Sequence, residues 1–166
     1  MGSRHKLETT TPTDVEIVMS RTFDAPRDLV FEAHSSCEHL SNWWGPRDSK
    51  VLECDVDFRV GGSWRVVLDN SDVRYWPGPI TFFGEYLEIA PPERITWTFG
   101  FNDEPGGPET YVFEEHDGKT TITSKAVFPS KEERDAALDT GMETGAAETY
   151  DRLDEYLEVL TADRTA

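Results

Sequence analysis

Four side chains in the sequence are the plausible acid–base groups: His34, Glu85, Tyr86 and Tyr111. Each can accept or donate a proton during a reaction, provided that it points into a pocket that holds the substrate. Other chemical templates are missing, since the sequence has no Gly-rich phosphate-binding loop, no serine nucleophile elbow and no HExxH zinc motif. We therefore predict no catalytic constellation, and these four residues are the candidates if the protein is an enzyme.

Three carboxylates, Glu53, Asp55 and Asp57, alternate along one predicted strand and therefore share a face. Neighbouring carboxylates could bind a hard cation such as Ca²⁺. In such an acidic protein we favour the simpler interpretation, a solvated strand face. His34 and His39 could approach one another across the first helices, but no cysteine or carboxylate pattern accompanies them. We predict neither a metal site nor a cofactor.

The two cysteines, Cys37 and Cys54, form neither a disulfide framework nor a paired metal motif. Cys54 points away from the three carboxylates, so we expect it to act as a small buried hydrophobe. We expect Cys37 to be a free thiol.

Aromatic side chains are the most informative set, because they exceed what the core of a small domain needs. They either pack solidly on the C-terminal helix or form the wall of a cavity. Each glycine inside that helix costs about 1 kcal/mol relative to alanine, and this cost calls for a reason such as close approach or open space. The glycines therefore favour the cavity. The predicted ligand-pocket residues are Trp43, Trp44, Trp64, Val66, Tyr75, Trp76, Phe82, Trp97, Phe99, Tyr111, Phe113, Leu138, Met142 and Gly145.

Two members of this set, Tyr75 and Trp76, lie in a loop rich in Asp, Pro and Gly. Aromatic residues on a loop suggest a pocket lid or a contact surface. The alternative, that they fold back and cover the edge of the sheet, is equally open.

Alternation of apolar and polar residues predicts the strands that position these side chains. The first strand covers residues 14–23; a helix begins at Asp24-Ala25-Pro26, and a second short helix surrounds residues 38–40. Six further strands are predicted at residues 50–56, 63–68, 80–89, 94–101, 110–115 and 120–128. Asp117-Gly118 is the strongest hairpin signal.

One long amphipathic helix is predicted after Pro129, with Ser130 as its N-cap and Glu133 completing a capping box. Its apolar stripe recurs at steps of three or four residues: Leu138, Met142, Gly145, Thr149, Leu153, Tyr156 and Leu160. An antiparallel sheet has one face that needs cover, and this helix is the only predicted element long enough to provide it.

Length and charge limit the class of protein. The chain has 166 residues, with 16 Lys and Arg against 33 Asp and Glu, a net charge of −17. This charge argues against nucleic acid and anionic membranes as partners. The apolar runs are too short to span a bilayer and none resembles a signal peptide, so we expect a cytoplasmic protein without membrane insertion. We divide the chain into a flexible arm, residues 1–13, and one domain, residues 14–162.

Several short segments match a known superfamily in order and spacing. They are Phe23-Asp24-Ala25-Pro26, Trp43-Trp44-Gly45-Pro46, Asp57-Phe58-Arg59-Val60-Gly61-Gly62, Gly84-Glu85-Tyr86-Leu87-Glu88-Ile89, Pro92-Glu93-Arg94-Ile95 and Gly141-Met142-Glu143-Thr144-Gly145. With them the chain resembles the START-like (SRPBCC) helix-grip superfamily, which includes the birch-pollen-allergen fold and polyketide cyclases. Within it, the chain looks most like the subgroup related to the activator of heat-shock protein 90 ATPase.

The resemblance implies an α+β fold in the order β-α-α-β(6)-α, in which a curved antiparallel sheet wraps around the long C-terminal helix and encloses a cavity. It implies a protein that binds a small hydrophobic or aromatic ligand, as lipid-binding relatives do. One alternative is an enzyme of the cyclase or dehydratase type. Another is an interaction protein with a chaperone partner, and a homodimer is also open.

Overall fold

The structure, a computed structural model, describes residues 5–74 and 77–165. Within these residues the chain forms nine strands and four helices. The strands are β1 (Glu8–Thr10), β2 (Glu16–Phe23), β3 (Lys50–Val56), β4 (Ser63–Asp69), β5 (Pro79–Ala90), β6 (Arg94–Thr98), β7 (Gly100–Phe101), β8 (Pro108–His116) and β9 (Lys119–Val127). The helices are α1 (Arg27–Glu32), α2 (Cys37–Leu40), α3 (Lys131–Leu138) and α4 (Met142–Thr165).

All the strands pair antiparallel in one sheet, in the order β1-β2-β9-β8-β6-β5-β4-β3, with β7 added against β5. The sequential hairpins produce most of this order. The β8–β9 hairpin turns at Asp117 and Gly118, which both have positive φ, 54° and 75°. Two successive positive φ values are what a tight two-residue hairpin turn requires, so the Asp-Gly prediction is confirmed.

Alternation places one face of the sheet against the helices. In β2 every second residue is buried, namely Ile17, Met19, Arg21 and Phe23. Helix α4 contributes the opposite side of the core, where Tyr150, Leu153 and Leu157 are buried. A sheet whose apolar face packs on a long C-terminal helix is the predicted α+β helix-grip fold, and this prediction is confirmed.

Two predicted elements are interrupted in the structure. The predicted single C-terminal helix is wrong: α3 ends at Leu138 and α4 begins at Met142, with Gly141 between them at φ 85°. This left-handed conformation is open to glycine at little cost, and it ends one helix before the next begins. The predicted strand at residues 94–101 is likewise split at Phe99, whose N–H donates to the carbonyl of Gly107 instead of continuing the ladder.

The chain start contributes an additional strand. Residues 8–10, which the sequence analysis assigns to the arm, form β1 and pair with Val18–Ser20 of β2. The pairing covers the outer edge of β2, whose other edge is bonded along its whole length to β9. Three residues make a short edge strand, which limits pairing with other chains.

The two cysteines form a disulfide, so the predictions of a free thiol at Cys37 and a buried hydrophobe at Cys54 are wrong. Their Cα atoms are 5.8 Å apart, because α2 lies against β3. The two are separated by 17 residues in the sequence and by a helix, a loop and part of a strand. Sequence spacing alone does not reveal such proximity.

The described helices contain no stretch that is both long and apolar enough to cross a membrane.

Candidate functional site

A cavity of about 580 Å³ lies between the sheet and helices α3 and α4. Seven of the predicted pocket residues line it: Trp43, Trp44, Phe82, Phe99, Tyr111, Met142 and Gly145. The two tryptophans follow α2, the phenylalanines and Tyr111 come from the sheet, and the last two come from α4. Exposed residues of the β7–β8 loop and of the α3–α4 region, such as Glu104 and Thr140, also line it and so mark its rim.

The other described members of the predicted set do not line this cavity. Trp64, Val66, Trp97 and Phe113 are fully buried in the core beside it, whereas Leu138 is half-buried on α3. Trp64 and Trp97 stack with their ring centroids 4.8 Å apart. Alternation identifies the face of a strand, but it does not say whether a ring on that face reaches the cavity or packs beside it. The remaining two predicted residues, Tyr75 and Trp76, lie outside the described residues.

One wall of the cavity is polar and centres on Glu109, Tyr111 and Tyr150. The period of two in β8 places Glu109 on the same face as Tyr111, and Tyr150 projects from α4 opposite. The side chain of Tyr111 interacts with the Glu109 carboxyl and with the Tyr150 hydroxyl. Both tyrosines are more than nine-tenths buried, whereas Glu109 is half-buried, so the tyrosine side of this group is the part shielded from bulk water.

Burial changes the proton affinity of all three groups. It raises the pKa of Glu109 to about 7, although the hydrogen bond from Tyr111 acts in the opposite direction. Burial likewise raises the pKa of Tyr111 and that of Tyr150, and the Glu109 charge adds to both increases. The carboxyl of Glu109 can therefore hold or release a proton near neutral pH, while the tyrosines remain protonated donors.

A buried arginine lies behind this wall. The side chain of Arg21 is 1% exposed and forms ion pairs with Asp151, at 3.0 Å, and with Asp154, at 3.7 Å. Its guanidinium carbon also lies 5.2 Å from the ring centroid of Phe23. The carboxylates of Asp151 and Asp154 thus offset the charge of the Arg21 guanidinium. These ion pairs anchor β2 to α4.

Glu109, Tyr150 and Arg21 are not among the site residues predicted from the sequence. A period-two signal was present for two of them: Glu109 is two residues before Tyr111, and Arg21 occupies an inward position of β2. Tyr150 follows Thr149 of the predicted helical stripe. Charged residues at inward positions are the sign that could have identified the polar wall, because burying them requires partners.

Of the four acid–base candidates, only Tyr111 lines the cavity. Glu85 is exposed, and Tyr86 is buried against Phe58 and Trp97 in the aromatic core. His34 is fully buried, with its Nδ1 atom 2.8 Å from the carbonyl oxygen of Val30. Burial lowers the pKa of His34 from 6.5 to about 4, so its ring is neutral at physiological pH.

His34 is expected to make folding stability depend on pH. Between pH 6.5 and 4 the unfolded chain binds a proton on His34 that the folded protein does not, so the free energy of unfolding falls as the pH falls. The loss attributable to this residue is up to about 3 kcal/mol below pH 4. Urea denaturation of the protein and of the His34→Gln variant, at intervals from pH 7.5 to 4, measures it.

Comparing the unmodified protein with the His34→Gln variant separates the effect of His34 on the pH dependence of stability from that of Glu109. The effect of Glu109 has the opposite sign. Because its pKa is raised in the folded state, Glu109 favours folding at low pH and this contribution is lost as the pH rises towards 7. Glu109 is present in both chains and cancels in the difference. Equal slopes for the two chains between pH 6.5 and 4 would contradict the assignment.

The acidic strand face of β3 is solvated. Glu53 forms an exposed ion pair with Arg65 at 2.9 Å, and Asp57 forms one with Arg59 at 2.8 Å. Asp55 is exposed between them. Across the described residues, no group of three or more His, Cys, Asp or Glu side chains is arranged to hold a metal ion.

Comparison with known proteins places this fold and cavity in a family. Residues 24–158 match the family model described as "Activator of Hsp90 ATPase homolog 1-like protein". No curated protein gives a match.

Several solved structures are similar over nearly their whole length. A Staphylococcus epidermidis protein is 31% identical, with a TM-score of 0.74, over 91% of this chain and 94% of that one. A Rhodobacter sphaeroides protein is 22% identical, with a TM-score of 0.81, over 93% and 99% of the two chains. A Silicibacter pomeroyi protein described as AHSA1 is 21% identical, with a TM-score of 0.67, over 87% and 98%.

The family match begins at Asp24, after β2, and ends within α4, so it includes all the residues that line the cavity except Met19 of β2. The chain therefore belongs to the Activator of Hsp90 ATPase homolog 1-like family, within the START-like helix-grip superfamily.

Proposed function

We propose that the protein binds a small apolar or aromatic ligand in the cavity between the sheet and helices α3 and α4. The observation that carries this proposal is the cavity itself, whose volume of about 580 Å³ is within the range typical of small-molecule sites. Its wall is largely aromatic and aliphatic, with a few polar groups among them. Such a wall binds a ligand by removing apolar surface from water, while the polar groups orient it.

Filling the cavity is expected to abolish binding while leaving the fold intact. Ala146 of α4 lines the cavity, so Ala146→Trp places an indole in the space that a ligand would occupy. We expect the affinity for Nile red, a neutral lipophilic dye, to fall by about tenfold or more. Fluorescence titration measures the dye, and circular dichroism checks the fold.

The matched control is Val159→Trp. Val159 is on the same helix but is 57% exposed, so the same indole is added outside the cavity and dye affinity is expected to stay unchanged. Absence of dye uptake by the unmodified protein would contradict the proposal, as would equal binding by the two tryptophan variants.

Glu109 supports a second candidate function, general acid–base catalysis. A carboxyl group whose pKa is raised to about 7 inside an apolar cavity can give or take a proton at neutral pH. Tyr111 and Tyr150 are positioned beside it as hydrogen-bond donors. A panel of β-hydroxy ketones, which lose water by acid–base chemistry, tests this candidate. Turnover that titrates near pH 7 and disappears in Glu109→Gln would support an enzyme of the dehydratase type; no turnover of any member would count against it.

The chaperone partner stays a prediction, with which the family description is compatible. A pull-down with the purified chaperone tests that prediction, and native mass spectrometry tests the predicted homodimer. The cytoplasmic location likewise stays a prediction.

A further inference from the structure

The charged residues that line the cavity are all acidic. Glu109 lies in its wall, while Glu104 and Glu133 are exposed at its rim. Among the described lining residues there is no lysine, arginine or histidine. A bound anion would therefore meet carboxylates without a compensating cation, whereas a bound cation would meet opposite charge.

Three arginines on the strands and helices that enclose the cavity are committed to other partners. Arg21 forms ion pairs with Asp151 and Asp154. Arg134 bonds to Asp135 and to the backbone carbonyl of Thr13. Arg152 donates to the backbone carbonyls of residues 44–46. These three guanidinium groups hold the framework together, so they do not offer a ready anchor for an anionic ligand.

The aromatic lining is also suited to a cation. Trp43, Trp44, Phe82, Phe99 and Phe101 all line the cavity. The face of an aromatic ring attracts an ammonium group, and this attraction increases where water is excluded. A ligand with an apolar body and a basic nitrogen would thus find favourable surroundings for both of its parts.

We propose that the ligand of this cavity is a hydrophobic amine, whose protonated nitrogen pairs with the Glu109 carboxylate while its apolar body contacts the aromatic wall. This inference rests on the proposed function, because it specifies the ligand class of the same cavity. Tyr111, which interacts with Glu109 from the same face of β8, is placed to donate a hydrogen bond to this carboxylate.

Pairing with an amine is expected to change the protonation of Glu109. In the empty cavity, burial raises the pKa of Glu109 to about 7, and a neighbouring ammonium would lower it. Besides Tyr111, the titratable groups that line the same cavity as Glu109 are Tyr150 from α4, Glu133 from α3 and Glu104 from the β7–β8 loop, and Arg21 of β2 acts on Tyr150. The added positive charge thus comes from the ligand, and binding below pH 7 releases a proton from Glu109.

Three probes with the same apolar body test this proposal: phenylbutylamine, phenylbutanol and phenylbutyric acid. We expect the amine to bind about tenfold more tightly than the alcohol, and the acid to bind most weakly. Glu109→Gln is expected to remove the advantage of the amine, so that the amine and the alcohol bind with similar affinity. Val159→Ala, on the exposed face of α4, is the control and should behave as the unmodified protein does.

A second readout uses the unmodified protein and does not depend on the folding of a variant. Calorimetry at pH 6.5, in two buffers of different ionisation enthalpy, should show proton release on binding of the amine and none on binding of the alcohol. Equal affinities for amine and alcohol, or amine binding without proton release, would overturn the ligand class while leaving the proposed function in place. Failure of all three probes to bind would overturn both.

Discussion

Replacing Trp97 by alanine is expected to lower the free energy of unfolding by about 3–5 kcal/mol. Its side chain is fully buried, stacked on Trp64 and in edge contact with Tyr111 at a centroid distance of 5.1 Å. Deletion of the indole removes these contacts and leaves a void that the surrounding rings are too rigid to fill. Urea denaturation followed by circular dichroism measures the loss, which is a large fraction of the stability of a typical domain.

Trp97→Phe is the informative companion. Among the described residues, the indole Nε1 of Trp97 has no hydrogen-bond partner, so phenylalanine keeps an aromatic ring and also removes a buried polar group that gains nothing from folding. We expect less than half of the loss seen with alanine. Leu87→Ala, at a position 45% exposed on β5, should change stability by less than about 0.5 kcal/mol. Similar losses for Trp97→Ala and Leu87→Ala would refute the role assigned to this core.

The second large effect is expected at the ion pairs between β2 and α4. Asp151→Asn combined with Asp154→Asn leaves the guanidinium of Arg21 buried without either of these carboxylates, and we expect a loss of about 3–5 kcal/mol. Urea denaturation measures it. Adding Arg21→Met to the double variant should recover part of the loss, because a buried apolar chain carries no uncompensated charge.

The control is another double variant of α4, Glu158→Gln with Asp163→Asn, which makes the same change in net charge at two exposed positions. In a chain with a net charge of −17, removal of two exposed negative charges should be neutral or slightly stabilising. If both double variants had the same stability, the effect at Asp151 and Asp154 would be one of net charge rather than pairing.

Most of the strands could be predicted because local periodicity determines them, whereas β1 and the break between β6 and β7 could not. Alternation in β2 and the Asp-Gly turn before β9 are both readable over fewer than ten residues. The break between α3 and α4 could not be read in the same way, since the apolar stripe continues across it. Gly141 was visible, but an isolated glycine inside a helical pattern does not reveal that the backbone turns left-handed there.

The cavity could be predicted as a region but not as a set of residues. Trp44 and Trp97 are both aromatic and both buried, yet only Trp44 reaches the cavity. That difference depends on where each strand or loop lies relative to the cavity in the folded protein. A short stretch of sequence does not contain this information. Glu109 was overlooked because an isolated carboxylate in an acidic chain suggests a solvated position. Its burial beside two tyrosines is a tertiary property.

The pairing of β2 with β9 has a consequence for the order in which the protein folds. Strand β2 is synthesised well before its partner, Lys119 to Val127, and before the covering helix α4. While the strands between β2 and β9 are being synthesised, the inward residues Ile17, Met19 and Phe23 therefore lack their native packing partners. Pairings between such distant segments form slowly, because a long loop must close first. We expect the central strands β3 to β6 to form first, and β2 to pair with β9 only after them.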